Sequence, residues 1–264
     1  MQLGYKKWQA FNFNVPEESY SFPNHVHWWE TVPPYLEQAS PLRTAHMRAP
    51  QEMQSHFGQE CFIDEVAHAT GADPVEFRLK FIKDEREAAV LKAAAKKIGW
   101  DQPIVKSRDP DIRVGRGIAL HAGYQSYAAV ACEVEVNQKT GRVWLRRVGI
   151  GHDCGLIINP VGIQAALEGQ VMQGISRALY EEVHFDEDKV TSVDWNTYKI
   201  AGIADIPGEI SVELLNRPDK PIGGAGEPAI VCIPAAIANA VFNATKVRIR
   251  HYPMTPERVL KALV

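Results

Sequence analysis

Residues 126–151 read SYAAVACEVEVNQKTGRVWLRRVGIG, and the period of this stretch decides the fold. From Ser126 to Val136, and again from Arg142 to Gly151, side-chain character changes every second residue, which is the repeat of a strand and not of a helix. Between them Gln138-Lys139-Thr140-Gly141 has turn chemistry, so the two runs are expected to form a hairpin. A third short strand is expected at Gly117 to Leu120.

Toward the N-terminus the period becomes helical. Met53, Phe57 and Cys61, with Phe62, Val66 and Ala69 one face over, predict a core-packing helix ended by Gly71. Asp73-Pro74 with Glu76 resembles a capping box, predicting a second helix through Phe77 and Phe81. Ala88 to Ile98, followed by Gly99, predicts a third. Asp101 to Arg116, with Pro103 and Pro110, is expected to be a connector and an internal boundary. The division is therefore 1–100, an extended N-terminal segment plus helices, and 101–264, a mixed α/β region. Residues 1–49, with Pro23, Trp28-Trp29 and Pro33-Pro34, have neither period and are expected to be loop-rich.

Toward the C-terminus, Asn159-Pro160 opens a helix on which Ile163, Ala166, Leu167, Val171 and Ile175 share a face to about Leu179. Glu168, Gln170 and Gln173 on that helix call for an explanation. Strands are expected near Val183, Val190 and Ile210 to Leu214, then a glycine-rich turn, an alanine-rich helix from about Pro234 to Ala244, and a short helix after Thr255-Pro256. Glu181-Glu182 and Asp186 to Asp188 read as a solvated edge turn. The fold class is α+β, mixed sheets with packed helices.

The 264 residues carry 29 Lys and Arg against 32 Asp and Glu, a net charge of -3. So small a field, with no basic run, argues against nucleic acid as the main partner. No eighteen-residue apolar stretch stands out, so no membrane span is expected. Met1 to Val15 lack a secretory signal, which points to the cytoplasm by default and leaves export through a partner open. Cys61, Cys132, Cys154 and Cys232 are too scattered for a disulfide framework or an iron–sulfur motif and are expected to be buried thiols. His25, His27, His121, His152, His184 and His251 fall singly or in alternation without metalloenzyme spacing, so no metal ligand is expected among protein side chains.

The sharpest chemical feature is Gly223-Gly224-Ala225-Gly226-Glu227-Pro228. Three glycines let a backbone pass close to a ligand, and they present one carboxylate just before a rigid proline. Composition alone favours a surface turn with a solvated glutamate, since glycine-rich turns are common and no phosphate-loop motif is matched. The apolar run that follows puts Glu227 at the mouth of a buried element, a place suited to general-base work.

Six motifs in order then support a resemblance: Met47-Arg48-Ala49-Pro50, Glu60 with Phe62-Ile63-Asp64-Glu65, Asp73-Pro74 with Glu76-Phe77-Arg78, Asp153-Cys154-Gly155 with Asn159-Pro160, Glu168-Gly169-Gln170-Val171-Met172-Gln173-Gly174, and Gly226-Glu227-Pro228. Together they resemble the molybdenum hydroxylase family, in particular the C-terminal portion of the large molybdopterin-binding subunit of the isoquinoline 1-oxidoreductase and nicotinate dehydrogenase type. The resemblance implies molybdopterin, in its plain or cytosine dinucleotide form, and hydroxylation of an N-heteroaromatic compound or an aldehyde with water-derived oxygen. It makes Glu227 the catalytic base, sets Gln173, Gly226 and the strand Ser126, Tyr127, Ala128 and Ala129 along the cofactor, and puts Arg48 near the substrate or in a structural role. The family's glycine- and glutamine-rich cofactor segment is not found in this sequence, and its cysteines cannot hold two [2Fe–2S] clusters. A further molybdopterin-binding segment and a small [2Fe–2S] subunit are therefore expected partners. Two other readings stay open: a non-catalytic assembly subunit or truncated remnant of the same fold, and a metal-free hydrolase using Glu227.

Overall fold

A computed structural model describes residues 19–26 and 46–264. His27, Trp28-Trp29 and Pro33-Pro34 lie outside the described residues. Helices α1 (Glu52–Ala69), α2 (Pro74–Phe81) and α3 (Glu85–Lys97) precede strands β1 (Ile112–Gly123), β2 (Ser126–Asn137) and β3 (Val143–Asp153); then come α4 (Pro160–Leu179), β4 (Glu209–Leu214), α5 (Pro228–Thr245) and α6 (Pro256–Leu263). The sheet order is β1-β2-β3-β4. The first three strands form an antiparallel meander, and β4 returns parallel to β3 after the crossover through α4.

The helix starts follow from local chemistry. Asp73 accepts hydrogen bonds from Val75 N and Glu76 N, and Asn159 accepts one from Gly162 N, each followed by a proline whose missing N–H costs nothing at that position. The hairpin turn is held by Asn137 Oδ1, which accepts from Lys139 N and Thr140 N.

Alternation along β2 divides the interior in two. Val130, Cys132 and Val134 face a core shared with Leu167, Val171 and Ile175 of α4 and with much of α5. Ala129 and Ala131 face the opposite way, into a core with Ile63 and Ala67 of α1, Phe77 of α2, and Val90, Leu91 and Ala94 of α3. The helices of residues 52–97 thus share a buried core with the sheet supplied by residues 112–214.

Several boundaries differ from expectation. The connector stops short of Arg116, because β1 already begins at Ile112. Gly115 and Gly117 made this stretch look irregular, yet both are strand residues over which α5 lies too close for any side chain. Helix α5 begins at Pro228, and Pro234 sits inside it, so the expected start at Pro234 is six residues late. The supposed absence of an eighteen-residue apolar stretch is also corrected: α5 has 18 residues and a mean hydropathy of 1.5. It is mostly buried, packed on β1, β2, α1 and α4. The strands near Val183 and Val190 reduce to one isolated bridge, Phe185 with Val190. Glu181 and Glu182 are not simply solvated. Tyr198 Oη donates to Glu181, and Arg258 pairs with both oxygens of Glu182.

Candidate active site at the Gly-Glu-Pro turn

The turn lies where α5 begins, and it is fastened from three sides. Glu227 is the N-cap residue of α5 and Pro228 its first helical residue. The Glu227 carboxylate makes no cap hydrogen bond to its own helix; instead Oε1 accepts from Ala49 N at 3.0 Å. Arg48 Nε donates to Gly226 O at 2.6 Å, and Arg48 Nη1 donates to Gln173 Oε1 at 2.8 Å. One guanidinium thus ties α4 to the turn and brings Arg48, Gln173, Gly226 and Glu227 into one cluster.

The segment that carries Arg48 is itself constrained. Ala49 and Gln51, on either side of Pro50, both have φ of 57°, a left-handed conformation uncommon for residues with a Cβ. Arg177 Nη1 donates to Arg48 O and lies near Met53 Sδ, while Ala49 N is taken by Glu227. These contacts offset a backbone cost that is typically about 1–3 kcal/mol per residue. Partial burial, with Arg177 nearby, lowers the Arg48 pKa, and Glu227 opposes the shift.

From α4, the fully buried Gln170 also reaches the turn. Its Nε2 donates to Ala225 O at 2.9 Å, and its Oε1 accepts from Ala229 N at 2.9 Å and Ile230 N at 3.3 Å. On the third side Gly223 N donates to Cys154 O, and a Cβ at Gly223 would lie 2.4 Å from Gln125 O. The β1–β2 turn, with Tyr124 and Gln125 both at positive φ, thereby abuts the glycine-rich segment.

The strand residues expected along the cofactor do not act alike. Ser126 is buried beside Gly223, and its Oγ has no hydrogen-bond partner among the described residues. Tyr127 turns to the other face of the sheet, where Arg86 lies 4.3 Å from its ring centroid. Ala128 O receives a long contact from Cys232 Sγ at 3.7 Å, and Ala129 is in the α3-side core.

Behind this end of the sheet, Asp153 is fully buried and accepts from Arg86, Arg217 Nε and Gly155 N. Burial alone would raise its pKa; the hydrogen bonds from Arg86, Gly155 and Arg217 outweigh that and hold it below the ordinary value. Cys154, between these groups, is a free buried thiol raised by desolvation, consistent with a structural role. His121 is not isolated: its Nδ1 lies 3.1 Å from Nε2 of the buried His56. Burial, reinforced by His56, pushes His121 down to about 3, and burial pushes His152 down to about 4, so both are neutral near pH 7.

A cavity of about 750 Å³ opens beside Arg48, lined among others by Met47, Met53, Tyr124, Arg177 and Tyr198. Gln170 and Arg177 were not anticipated as site residues. For Gln170 the signal was present, a polar residue on a helix otherwise packed by small and apolar side chains. For Arg177 there was none, because its partner is a backbone carbonyl 129 positions away.

Comparison with known proteins identifies the family and the fold. The molybdopterin cofactor-binding domain family matches residues 64–207, more than half of the chain. A nicotinate dehydrogenase polypeptide of Pseudomonas putida (strain KT2440) is 39% identical over 253 residues, covering 88% of this chain and 21% of that protein. The beta chain of isoquinoline 1-oxidoreductase from Brevundimonas diminuta is 31% identical over 229 residues, 84% of this chain and 28% of that protein. The chain therefore spans between a fifth and a third of the length of these relatives. Among solved structures, quinoline 2-oxidoreductase from Pseudomonas putida 86 shares the fold, with a TM-score of 0.71 at 14% identity over 80% of this chain and 52% of that one. The chain belongs to the molybdopterin cofactor-binding domain family of the molybdenum hydroxylases.

Proposed function

We propose that this chain forms part of the active site of a molybdopterin-dependent oxidoreductase that hydroxylates an N-heteroaromatic compound or an aldehyde with oxygen from water, and that Glu227 is its catalytic base. The observation that carries the reading is the Glu227 carboxylate. It stands at the start of a buried helix, released from capping and held at one oxygen by Ala49 N, with Arg48 and Gln173 joined beside it.

The residues present fit the cofactor. Ser126 Oγ is a buried hydroxyl with no partner among the described residues, and a Cβ at Gly224 or Gly226 would meet no atom within 4 Å, so the turn can lie close to a bulky ligand. Ser126, Gln173 and the backbone at Gly226 would hold the molybdopterin. When bound, the cofactor supplies the redox centre that accepts two electrons from the substrate. The chain supplies the rest: Arg48 fixes the turn and lines the neighbouring cavity, and Glu227 takes up a proton at Oε2 while Ala49 N steadies Oε1. The cytosine dinucleotide form of the cofactor, a small subunit with [2Fe–2S] clusters, and a further molybdopterin-binding segment belong to the same proposal.

The test is Glu227→Gln in the holoenzyme that contains this chain, with molybdenum measured in each preparation. A positioned base is typically worth about 10²–10⁴-fold in rate, so kcat should fall by that order while metal content is unchanged. Turnover at the wild-type rate with full metal would overturn the assignment. Assays with N-heteroaromatic compounds and aldehydes side by side decide the substrate class.

A further inference from the structure

An N-cap side chain ordinarily accepts hydrogen bonds from the second and third residues of its helix. In α5 those N–H groups belong to Ala229 and Ile230, and Glu227, the N-cap residue, does not serve them with its side chain. Gln170 of α4 does, through Oε1 at 2.9 and 3.3 Å, while its Nε2 donates to Ala225 O on the other side of Glu227. One buried amide therefore holds the chain both before and after the carboxylate. It also occupies the donors that would otherwise draw that carboxylate back onto its own helix.

We propose that Gln170 is a positioning residue: it caps α5 in place of Glu227 and thereby keeps the Glu227 carboxylate directed to Ala49 and the site. The inference rests on the reading of Glu227 as the base, and goes beyond it by assigning the residue that makes the base available. Close packing supports the arrangement, since a Cβ on Gly174, one turn along α4, would lie 2.7 Å from Ile233, so α4 and α5 already touch and cannot come closer. Without the Gln170 amide, Ala229 N loses its acceptor while Ile230 N keeps Glu227 O at 3.1 Å, and a carboxylate at the cap position is free to turn back to Ala229 N. Misplacing a catalytic group by about 1 Å can cost on the order of 10²-fold in rate.

The experiment compares Gln170→Met, Glu227→Gln and the double variant in the holoenzyme. It measures kcat, KM, molybdenum content and hydrogen exchange at the Ala229 and Ile230 amides. Gln170→Met should lower kcat by about 10- to 100-fold with KM within about twofold and molybdenum unchanged, and should speed exchange at Ala229 more than at Ile230, which keeps Glu227 O. In the Glu227→Gln background the same change should lower kcat by less than about twofold, because residues acting through one group are not additive. Equal losses in both backgrounds, or wild-type kcat at full metal loading, would overturn the proposal. If Gln170→Met fails to accumulate, Gln170→Asn keeps a buried amide but, one methylene shorter, withdraws it from Ala229 N and Ala225 O. It should show the same dependence on Glu227, and an equal loss in both backgrounds would again count against the idea. An active Glu227→Gln enzyme with faster exchange in Gln170→Met would instead overturn the base while leaving the cap intact.

Discussion

Gly117 and Gly226 are the same residue type in opposite circumstances. A Cβ on Gly117 would lie 2.2 Å from Ala236 O, because α5 rides directly on β1; a Cβ on Gly226 would meet nothing within 4 Å. Neither has a left-handed φ. The frame of sheet and helices uses glycine so that the backbone of α5 can approach β1, while the segment leading into α5 meets the β1–β2 turn at one end of the sheet. Nothing in the packing of the described residues requires glycine at 224 or 226. Under the proposed function, the room at the turn serves a bound ligand and not the fold. Fold and site therefore fail in different ways when altered.

The largest loss is expected in the frame, at Asp153. Replacing it with Asn leaves Arg86, itself buried, and Arg217 without their counter-charge, and breaking a buried pair typically costs about 3–5 kcal/mol. Denaturant unfolding of Asp153→Asn should show a loss of that order. The pH dependence should change as well. The folded-state pKa of Asp153 is depressed, so near and below about pH 4 the unfolded chain binds a proton that the folded chain does not. The stability this group contributes is complete above that range and is lost as pH falls through the folded pKa. The variant should lack this portion of the acid slope.

A smaller loss is expected at Gly117. The atoms opposed to a new Cβ there are backbone, so the strand or the helix must shift, and overpacking typically costs about 1–3 kcal/mol. Gly117→Ala should lower the unfolding midpoint accordingly. A midpoint equal to wild type would mean that α5 and β1 can separate freely, and the contrast with Gly226 would lose its basis.

Legibility in the sequence followed the range of the interactions. The hairpin, the capped starts of α2 and α4 and the turn before α5 depend on neighbours a few positions apart, and the sequence displayed them. The start of β1 was hidden, since its glycines answer to a helix more than a hundred residues later. The early start of α5 was hidden by Pro234, a residue that more often opens a helix than sits inside one. At the site, Glu227, Gln173 and Arg48 were singled out by motif, and they do meet through Arg48. That Tyr127 faces away from the turn, and that Gln170 grips it, depend on pairing across the sheet and between two helices. No local pattern records the first, and for the second the sequence shows only a polar residue on an otherwise small and apolar helix face, without its partner.

The smallest effect on stability, and the most telling, is expected at the turn. Gly226→Ala adds a methyl group where no atom lies within 4 Å, and at a φ outside the left-handed region, so neither a clash nor backbone strain opposes it. Surface changes of this kind usually fall within about 0.5 kcal/mol of wild type. Gly226 O accepts from Arg48 Nε, and a methyl group on the Cα removes neither atom of that bond, so the cluster around Glu227 should persist. If the space is where molybdopterin lies, the methyl group intrudes on the ligand and not on the protein. Molybdenum content of the purified holoenzyme should then fall while the unfolding midpoint does not move. Full metal content with an unchanged midpoint would place the cofactor elsewhere, whereas a lowered midpoint would show that the turn is packed as tightly as the frame.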